Sequence, residues 1–421
     1  MFEFEVNPEK IERADLVVGI PSCNEADTIA YPALQASLGI KKYFPDRRAV
    51  IINCDNNSPD NTKGAFLSTP TDVPKIYLST PQGIKGKGNN FFNLFKKVKE
   101  LGAEAVLVVD ADLKSMTPEW IKCMGEPLFK GFSFVTPLYA RHKYDGTITN
   151  SIAYPLSRAL YGKRLRQPIG GDFGFSGEMA RIYLETDIRN NAVAGFGVDI
   201  WMSTIAMNQQ VRLCQSFIGR PKEHRNKDLL ATVYPMFRQE VGTIFSLMKR
   251  LDHNWCRVKN SKPTAINGFG SWETEFPPKM DIDPVSLFNC FHDGFREYDA
   301  VWKSTLSPDI YGKLYEIREM TINDFTFPVE LWARTLYDWA VEYMGADNPD
   351  RLMDALVPLY FAKTLSFIRK TEKMTTQQTE AAIEEECMVF ESVKPYLVRK
   401  WEKENKGAGH RAQGAGCKVE D

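Results

Sequence analysis

The chain reads as an α/β layer carrying its ligand-facing loops on one edge, followed from about residue 240 by a mainly helical region. Three observations carry that expectation. Short aliphatic runs alternate with helical patterns through the first part of the chain. Each run ends in a polar or acidic cluster, as at the C-terminal edge of a parallel sheet. Beyond about residue 240, aromatic residues recur three and four apart, as in Val329-Glu330-Leu331-Trp332-Ala333-Arg334-Thr335-Leu336-Tyr337-Asp338-Trp339, so packing against the first domain or a second subunit is the expected role. The boundaries expected are 1–240 for the sheet domain, 241–403 for the helical region and 404–421 for a tail that lacks periodicity and so lacks fixed structure.

The first strand is Leu16-Val17-Val18-Gly19-Ile20, which runs into Pro21-Ser22-Cys23-Asn24-Glu25 before a helical pattern begins near Asp27-Thr28-Ile29. That turn leaves backbone groups and Glu25 at the sheet edge, where they can grip a nucleobase or simply cap the helix. Ala49-Val50-Ile51-Ile52-Asn53-Cys54 repeats the design and ends in Asp55, with Ser58 three residues on. An acid directly after a second strand suits a ribose or base, while the surrounding cluster supplies turn formers. Lys75-Ile76-Tyr77-Leu78-Ser79 is the third strand. Gly86-Lys87-Gly88 then precedes an amphipathic helix, a spacing that suits a phosphate cradle at a helix N-terminus. It is not a P-loop, because Gly88 stands where the Walker pattern needs Ser or Thr.

The fourth run, Ala105-Val106-Leu107-Val108-Val109-Asp110-Ala111-Asp112-Leu113, is the one the others are arranged around. An unbroken aliphatic stretch this short reads as a central strand covered on both faces, and side chains just past its end sit in the crevice where open α/β sheets bind ligands. Two aspartates one residue apart present hard oxygen ligands for Mg²⁺ or Mn²⁺ shared with phosphate oxygens. The sheet continues at Phe132–Tyr139. The glycine-rich stretch Gln167–Gly177 reads as a loop that permits close backbone approach to a ligand, or as a tight structural turn. Asp199 opens a helix among apolar neighbours, where it reads either as a helix cap or as a buried carboxylate that needs a partner such as a sugar hydroxyl, a cation or a developing positive charge. After a strand near Val211–Gln215, the loop Gly219-Arg220-Pro221-Lys222 delivers His224, one of five histidines.

With 53 basic against 54 acidic side chains, no global field draws nucleic acid or an anionic membrane. The acidic N-terminus lacks the basic and apolar regions of a signal peptide, and no apolar run approaches membrane-spanning length, so a cytoplasmic enzyme is expected. Eight cysteines are scattered without zinc-type spacing and read as reduced core filler.

Taken in order, Ile20-Pro21-Ser22-Cys23-Asn24-Glu25, Asp55 with Ser58, Gly86-Lys87-Gly88, Val109-Asp110-Ala111-Asp112, Gly195-Phe196-Gly197-Val198-Asp199 and His224-Arg225-Asn226 form a set. From its start to about residue 230 the chain resembles retaining glycosyltransferases with the GT-A fold, of the glucosyl-3-phosphoglycerate, glucosylglycerate and mannosylglycerate synthase type. The resemblance implies a Rossmann-like nucleotide-diphospho-sugar transferase domain. It implies that Asp112 and His224 hold Mg²⁺ or Mn²⁺, and that Pro21, Ser22, Cys23, Glu25, Asp55, Ser58, Lys87, Asp110 and Ala111 bind the nucleotide sugar. Asp199, with Asp110, would be catalytic. Gly146, Thr147, Thr149, Gly170, Gly171 and Asn226 would face the acceptor, glycerate or 3-phosphoglycerate.

The implied reaction moves glucose or mannose to the acceptor's 2-hydroxyl, giving an α-glycosylglycerate compatible solute or its phosphate, in a homodimer or higher homo-oligomer. Phosphoglycerate-using members place an arginine two residues before a threonine in the acceptor loop, where this chain has Thr147 and Thr149. Loss of that guanidinium removes a bidentate phosphate clamp and favours unphosphorylated glycerate, unless Arg141, Lys143 or Arg225 substitutes. Two alternatives share the same parts: a sugar-phosphate nucleotidyltransferase, and a non-catalytic sugar-nucleotide-binding protein.

Overall fold

The computed structural model of the chain describes residues 3–186, 191–223, 229–268, 277, 278, 280 and 282–414. The chain divides into two compact units: a sheet unit, Met1–Asp145, Lys163–Thr243 and Lys262–Met280, and a helical unit, Gly146–Gly162, Ile244–Ser261 and Asp281–Asp421. The division is therefore not the sequential one expected at residue 240, because 146–162 belongs with the later helices and 262–280 with the sheet.

The strands are β1 (Phe4–Val6), β2 (Leu16–Ser22), β3 (Ala49–Asp55), β4 (Lys75–Ser79), β5 (Ala105–Val108), β6 (Phe134–Leu138), β7 (Lys163–Arg164), β8 (Phe173–Ser176), β9 (Leu213–Phe217), β10 (Lys262–Pro263) and β11 (Ala265–Asn267). Nine of them form one mixed sheet in the order β1-β4-β3-β2-β5-β8-β6-β9-β11, while β7 and β10 pair separately. β2 is flanked by β3 and β5, both parallel to it, with Ser22 opposite Asp55 and Gly19 opposite Val108. The chain steps outward from β2 to β3 and β4 on one side and then returns to the other side of β2 at β5, so the crevice at this switch point opens between β2 and β5, beyond Ser22 and Val108.

Both faces of these strands are covered, as their unbroken aliphatic sequences require. Leu16, Val18 and Ile20 join Ala33, Ile40, Trp120, Ile121 and Met124 in one core layer. The alternate residues turn to the other face. There a Cβ on Gly19 would lie 2.4 Å from a methyl of Leu94, so glycine makes room for that side chain of the Lys87–Leu101 helix. On the same side Phe95 packs on Phe175 and Tyr183, and Tyr183 on Trp201.

The glycine-rich stretch expected to be a loop contains a strand. Phe173–Ser176 pairs antiparallel with both β5 and β6. Phe173 and Phe175 are buried, and Gly174 sits where a side chain would press on Val135, Leu107 and the Met124 carbonyl.

In the helical unit, the Pro284–Thr305 helix packs along Pro349–Thr371, and Val329–Tyr343 along Thr376–Gly414. Trp302 and Trp339 donate their indole N–H to the Ala355 and Leu352 carbonyls, and Trp332 donates to Ser151, so these large buried rings leave no stranded donor. Buried Lys394 donates to three carbonyls, those of Ala159, Trp255 and Val258. The last helix continues to Gly414, so the tail expected to lack structure from Glu404 is helical that far. Among the described residues no helix is long and apolar enough to cross a membrane.

Candidate active site

The C-terminal edge of the sheet carries two assemblies of different character. The first is a hydrogen-bonded knot around Asp55, which is 1% exposed. One oxygen of Asp55 accepts from the Ser22 and Ser58 hydroxyls at 2.8 and 2.7 Å, and the other from the Ser58 N–H and the Tyr77 hydroxyl at 2.7 and 3.0 Å. Four donors saturate a carboxylate, so in this structure Asp55 organises the turn and has no oxygen left to offer a ligand directly. Asn53 donates to Ser22, and Ser58 accepts the Asn24 N–H, which ties residues 23–26 to the turn after β3. Cys23 is exposed, and Glu25 accepts from Thr28 at 2.6 Å. Pro21, at the buried end of β2, pairs opposite Cys54. Asn56 and Asn90, which no sequence pattern singles out, bridge to this knot: Asn56 donates to Asn90, and Asn90 to the Ser22 carbonyl.

The second assembly is ionic: Asp172 and Asp199 are buried, and Lys87 and Asp110 are part-buried. Lys87 Nζ lies 2.9 Å from Asp110 Oδ1 and 3.2 Å from Asp199 Oδ2. Lys222 Nζ lies 2.6 Å from Asp110 Oδ2 and 2.9 Å from Asp172 Oδ2, and it also donates to the Gly170 carbonyl at 2.5 Å. Asp172 in turn accepts the Asp110 N–H at 3.0 Å and the Tyr139 hydroxyl. Gly171 lies in the left-handed backbone region, and a Cβ there would lie 2.3 Å from one oxygen of Asp110 and crowd Lys87 Nζ as well. Glycine is needed both for the turn and for the space the cluster fills. Ala111 is buried beside Asp110.

Burial works against charge on Lys87 and Lys222, but Asp110 together with Asp199 or Asp172 outweighs it and holds both ammonium groups above their usual range, the ordinary effect of opposite charges at close range. Burial pushes the other way on Asp110, and the two lysines win, keeping it ionised. Asp199 is different: burial, with Asp110 as a like-charged neighbour, raises it in spite of Lys87. Its Oδ1 is buried, and among the described residues no hydrogen-bond donor reaches it. Glu240, on the Leu229–Arg250 helix, is pushed up to about 8 by burial and by Asp199.

The Gly-Lys-Gly turn serves a different purpose from the cradle expected. A Cβ on Gly86 would lie 2.3 Å from the Ala194 carbonyl oxygen, and one on Gly88 1.8 Å from that of Val193. The backbone that approaches these glycines is the chain's own, and the Gly88 N–H donates to the Gly195 carbonyl. That close approach brings Lys87, at the start of its helix, against Asp199, at the start of the Val198–Asn208 helix.

Asp112 is buried just past β5. The loop after it is stitched to the segment before residue 224: Lys114 N–H donates to the Glu223 carbonyl at 2.7 Å, and Glu223 N–H to the Ser115 hydroxyl at 2.9 Å. His224 and Asn226 themselves lie outside the described residues. Among the described residues no group of three or more His, Cys, Asp or Glu side chains is disposed to hold a metal ion.

The structure thus brings together Lys87, Asp110, Asp199, Gly170 and Gly171, and separately Ser22, Asp55 and Ser58. It places Gly146, Thr147 and Thr149 in the helical unit, where the Thr147 hydroxyl meets that of Tyr360 and Thr149 is buried. Sequence reasoning missed Lys222, Asp172, Tyr139 and Glu240. Lys222 carried one faint signal, a lysine in the loop leading to His224. Asp172 sat unremarked among glycines.

No family model matches the chain. Over 153 residues it is 28% identical to mannosylglycerate synthase of Rhodothermus marinus. The chain is similar to that enzyme over this stretch. The alignment takes in 35% of this chain and 38% of the relative, so the chain spans well under half the length of the curated relative it matches. Among solved structures, glucosyl-3-phosphoglycerate synthase from Mycobacterium tuberculosis in complex with Mn²⁺, uridine diphosphate and phosphoglyceric acid is 23% identical, with a TM-score of 0.42 over 55% of this chain and 78% of that one. The same enzyme with Mg²⁺ and uridine diphosphate matches at 23% identity and a TM-score of 0.42 over 55% of this chain and 79% of that one.

Proposed function

We propose that this chain is a metal-dependent retaining glycosyltransferase of GT-A type that moves glucose or mannose from a nucleoside diphosphate sugar to the 2-hydroxyl of D-glycerate or 3-phosphoglycerate. The observation that carries the reading is the Asp199 carboxylate. One oxygen rests on Lys87, which also pairs with Asp110 two residues past the end of β5, and the other is buried with no donor among the described residues. A buried carboxylate oxygen without a donor costs roughly 1–3 kcal/mol or more, and a sugar hydroxyl is the kind of group that repays it. The similarity to mannosylglycerate synthase supports the substrate class.

In this reading the knot at Asp55 fixes the turn on which the nucleotide lies, while residues 23–25 present the contacts. Lys87 and Lys222 exchange carboxylate partners for phosphate oxygens and neutralise charge as the diphosphate leaves. Asp199 orients the transferred sugar and stabilises positive charge developing at its anomeric carbon. Attack comes from the face the diphosphate leaves, and a phosphate oxygen of the leaving group accepts the incoming hydroxyl proton, so the anomeric configuration is retained. A carboxylate and an imidazole suit Mg²⁺ or Mn²⁺. The backbone ties between 114–115 and Glu223 hold the chain one residue before His224 against the loop after Asp112. Asp112 and His224 would hold such a cation, which supplies Lewis-acid neutralisation of the diphosphate when bound.

A donor-by-acceptor screen with and without Mn²⁺, followed by analysis of the product linkage, tests this. An α-linked glycosylglycerate is expected. A β-linked product would refute the same-face mechanism. Pyrophosphate release from a nucleoside triphosphate and a sugar phosphate would make the protein a nucleotidyltransferase, and tight nucleotide binding without turnover would make it a binding protein. Asp112→Ala should weaken Mn²⁺ binding, read by calorimetry independently of activity, and excess metal should only partly restore turnover.

A further inference from the structure

The helical unit holds a cavity of about 290 Å³ that has no part in the chemistry above. Its walls include Phe325 and Phe327, and its charged groups are Lys363, Arg369, Lys370 and Glu386. Lys363 and Glu386 are almost wholly buried, with side chains 2% and 3% exposed, and both Glu386 oxygens lie 2.9 Å from Lys363 Nζ. Lys370 Nζ stands 3.8 Å from the same carboxylate. By formal charge three basic groups face one carboxylate, a surplus of two in a space walled partly by aromatic rings, while burial pushes the Lys363 ammonium down against the pull of Glu386.

Burying an ion pair in a helical core rarely adds stability over a well-packed apolar pair of the same volume, so its presence beside a cavity calls for another explanation. Glu386 supplies the lining's single carboxylate to both Lys363 and Lys370, and Arg369 donates to the Asn323 carbonyl, so positive charge stays in excess within the lining. Lys363 adds donor capacity beyond its contact with Glu386, since an ammonium carries three N–H groups. The Val329–Tyr343 helix begins at the cavity wall with Pro328 as its N-cap and no side-chain cap, so its first-turn N–H groups add a positive end that Glu330, in the same turn, partly offsets. Phe327, whose N–H is fixed on the Ser366 hydroxyl at 2.8 Å, holds that helix start in place.

We propose that this cavity binds a small, doubly charged oxyanion of the phosphate class, seated between Lys370, Arg369 and Lys363. Two net positive charges match a dianion, and the aromatic wall excludes water from one side of it and strengthens each contact.

The test is equilibrium binding of inorganic phosphate to the full chain by calorimetry. Lys370→Glu is the main variant, because Lys370 is 41% exposed in its side chain and tolerates replacement. Arg369→Gln is the second variant, and Lys313→Glu is the control, an equal charge change at an exposed residue paired with Glu316. Saturable binding is expected, weakened about tenfold or more by Lys370→Glu, as loss of one charge-assisted hydrogen bond implies, and weakened also by Arg369→Gln. Lys313→Glu should leave it unchanged. Absence of saturable binding up to about 20 mM phosphate overturns the proposal, since affinity below that level is negligible for a built site. Equal affinity in wild type and Lys370→Glu also overturns it, as does acetate binding as tightly as phosphate.

Discussion

Glu240 offers the sharpest quantitative test of the electrostatics at the candidate site. It sits 5% exposed on the Leu229–Arg250 helix, whose Gln239 accepts the Phe196 N–H at 2.7 Å and so fixes the helix against the turn leading to Asp199. Burial and the Asp199 charge raise its pKa from an ordinary 4.5 to about 8, with Lys87 opposing. Glu240→Gln keeps the shape and removes the titration. Below pH 4.5 the side chain is protonated in both folded and unfolded wild type and has no differential effect. As pH rises from 4.5 to about 8, the unfolded chain gives up this proton while the folded chain keeps it, so wild-type stability falls across that window and levels off above it. The shift corresponds to about 5 kcal/mol as an upper bound, at about 1.36 kcal/mol per pKa unit, and relaxation around the site brings the expected gap to roughly 2–4 kcal/mol. Guanidinium unfolding of both proteins between about pH 5 and about pH 9 should show the variant gaining on wild type as pH rises, with the gap constant beyond about pH 8. Carbon-13 carboxyl spectra of glutamate-labelled chain, with the variant assigning the resonance, read the pKa directly. A stability difference flat with pH, or a Glu240 resonance titrating near 4.5, would refute the reasoning.

Three further outcomes follow from the geometry. A Cβ added by Gly88→Ala would run into the Val193 carbonyl oxygen, so the two backbones must part. The variant should be destabilised by about 1–3 kcal/mol in denaturant unfolding and should bind nucleotide more weakly because Lys87 moves. Lys222→Met leaves buried Asp172 and part-buried Asp110 with one ammonium fewer. It should cost roughly 3–5 kcal/mol of stability, the penalty of breaking a buried pair, and a loss under about 1 kcal/mol would show the lysine to be solvated instead. Lys394→Met strands three carbonyls in the helical unit, two buried and that of Val258 part-buried, and hydrogen exchange should report lost protection around Ala159, Trp255 and Val258. The expected cost is about 1–3 kcal/mol per acceptor that finds no water.

How much of this was legible in the sequence depends on the range of the interaction that decides it. The parallel strands Leu16–Ser22, Ala49–Asp55, Lys75–Ser79 and Ala105–Val108 are visible because burial on both faces demands uninterrupted aliphatic runs, a local signal. Phe173–Ser176 was hidden because its glycine, which permits close strand packing, looks the same in sequence as a glycine in a flexible loop. The same ambiguity misled the reading of Gly86 and Gly88, whose close neighbour is the backbone at 193–195. Lys87, Asp110 and Asp199 were found because each opens or ends an element at the sheet edge. Lys222 and Asp172 were not, because the partnerships that give them meaning join Asp110 to residues 62 and 112 positions away along the chain. Glu240 lay inside an amphipathic helix, where one more glutamate carries no mark of burial. The grouping of 146–162 with the later helices left no local mark for a related reason: it rests on long-range contacts such as those of Arg158 with Glu384 and Glu391.

The two assemblies at the sheet edge are held by different forces, and that difference bears on the order in which the proposed reaction proceeds. Around Asp55 a single negative charge is satisfied by four neutral or backbone donors, with no cation to draw away, so an arriving anion has nothing to compete for and the turn stays as built. Around Asp110 the stabilisation is between opposite charges, and a diphosphate competes for Lys87 and Lys222 on equal chemical terms. Losing both lysines leaves Asp110, Asp172 and Asp199 as neighbouring carboxylates, an arrangement that low dielectric makes costly unless a cation or a proton enters with the diphosphate. The divalent ion expected at Asp112 meets that need, which makes donor and metal binding mutually dependent: each should bind more tightly in the presence of the other, by the same factor. Calorimetric titration of Mn²⁺ with and without a nucleoside diphosphate measures both sides of that equality, and independent, additive binding would show that the lysines never leave Asp110.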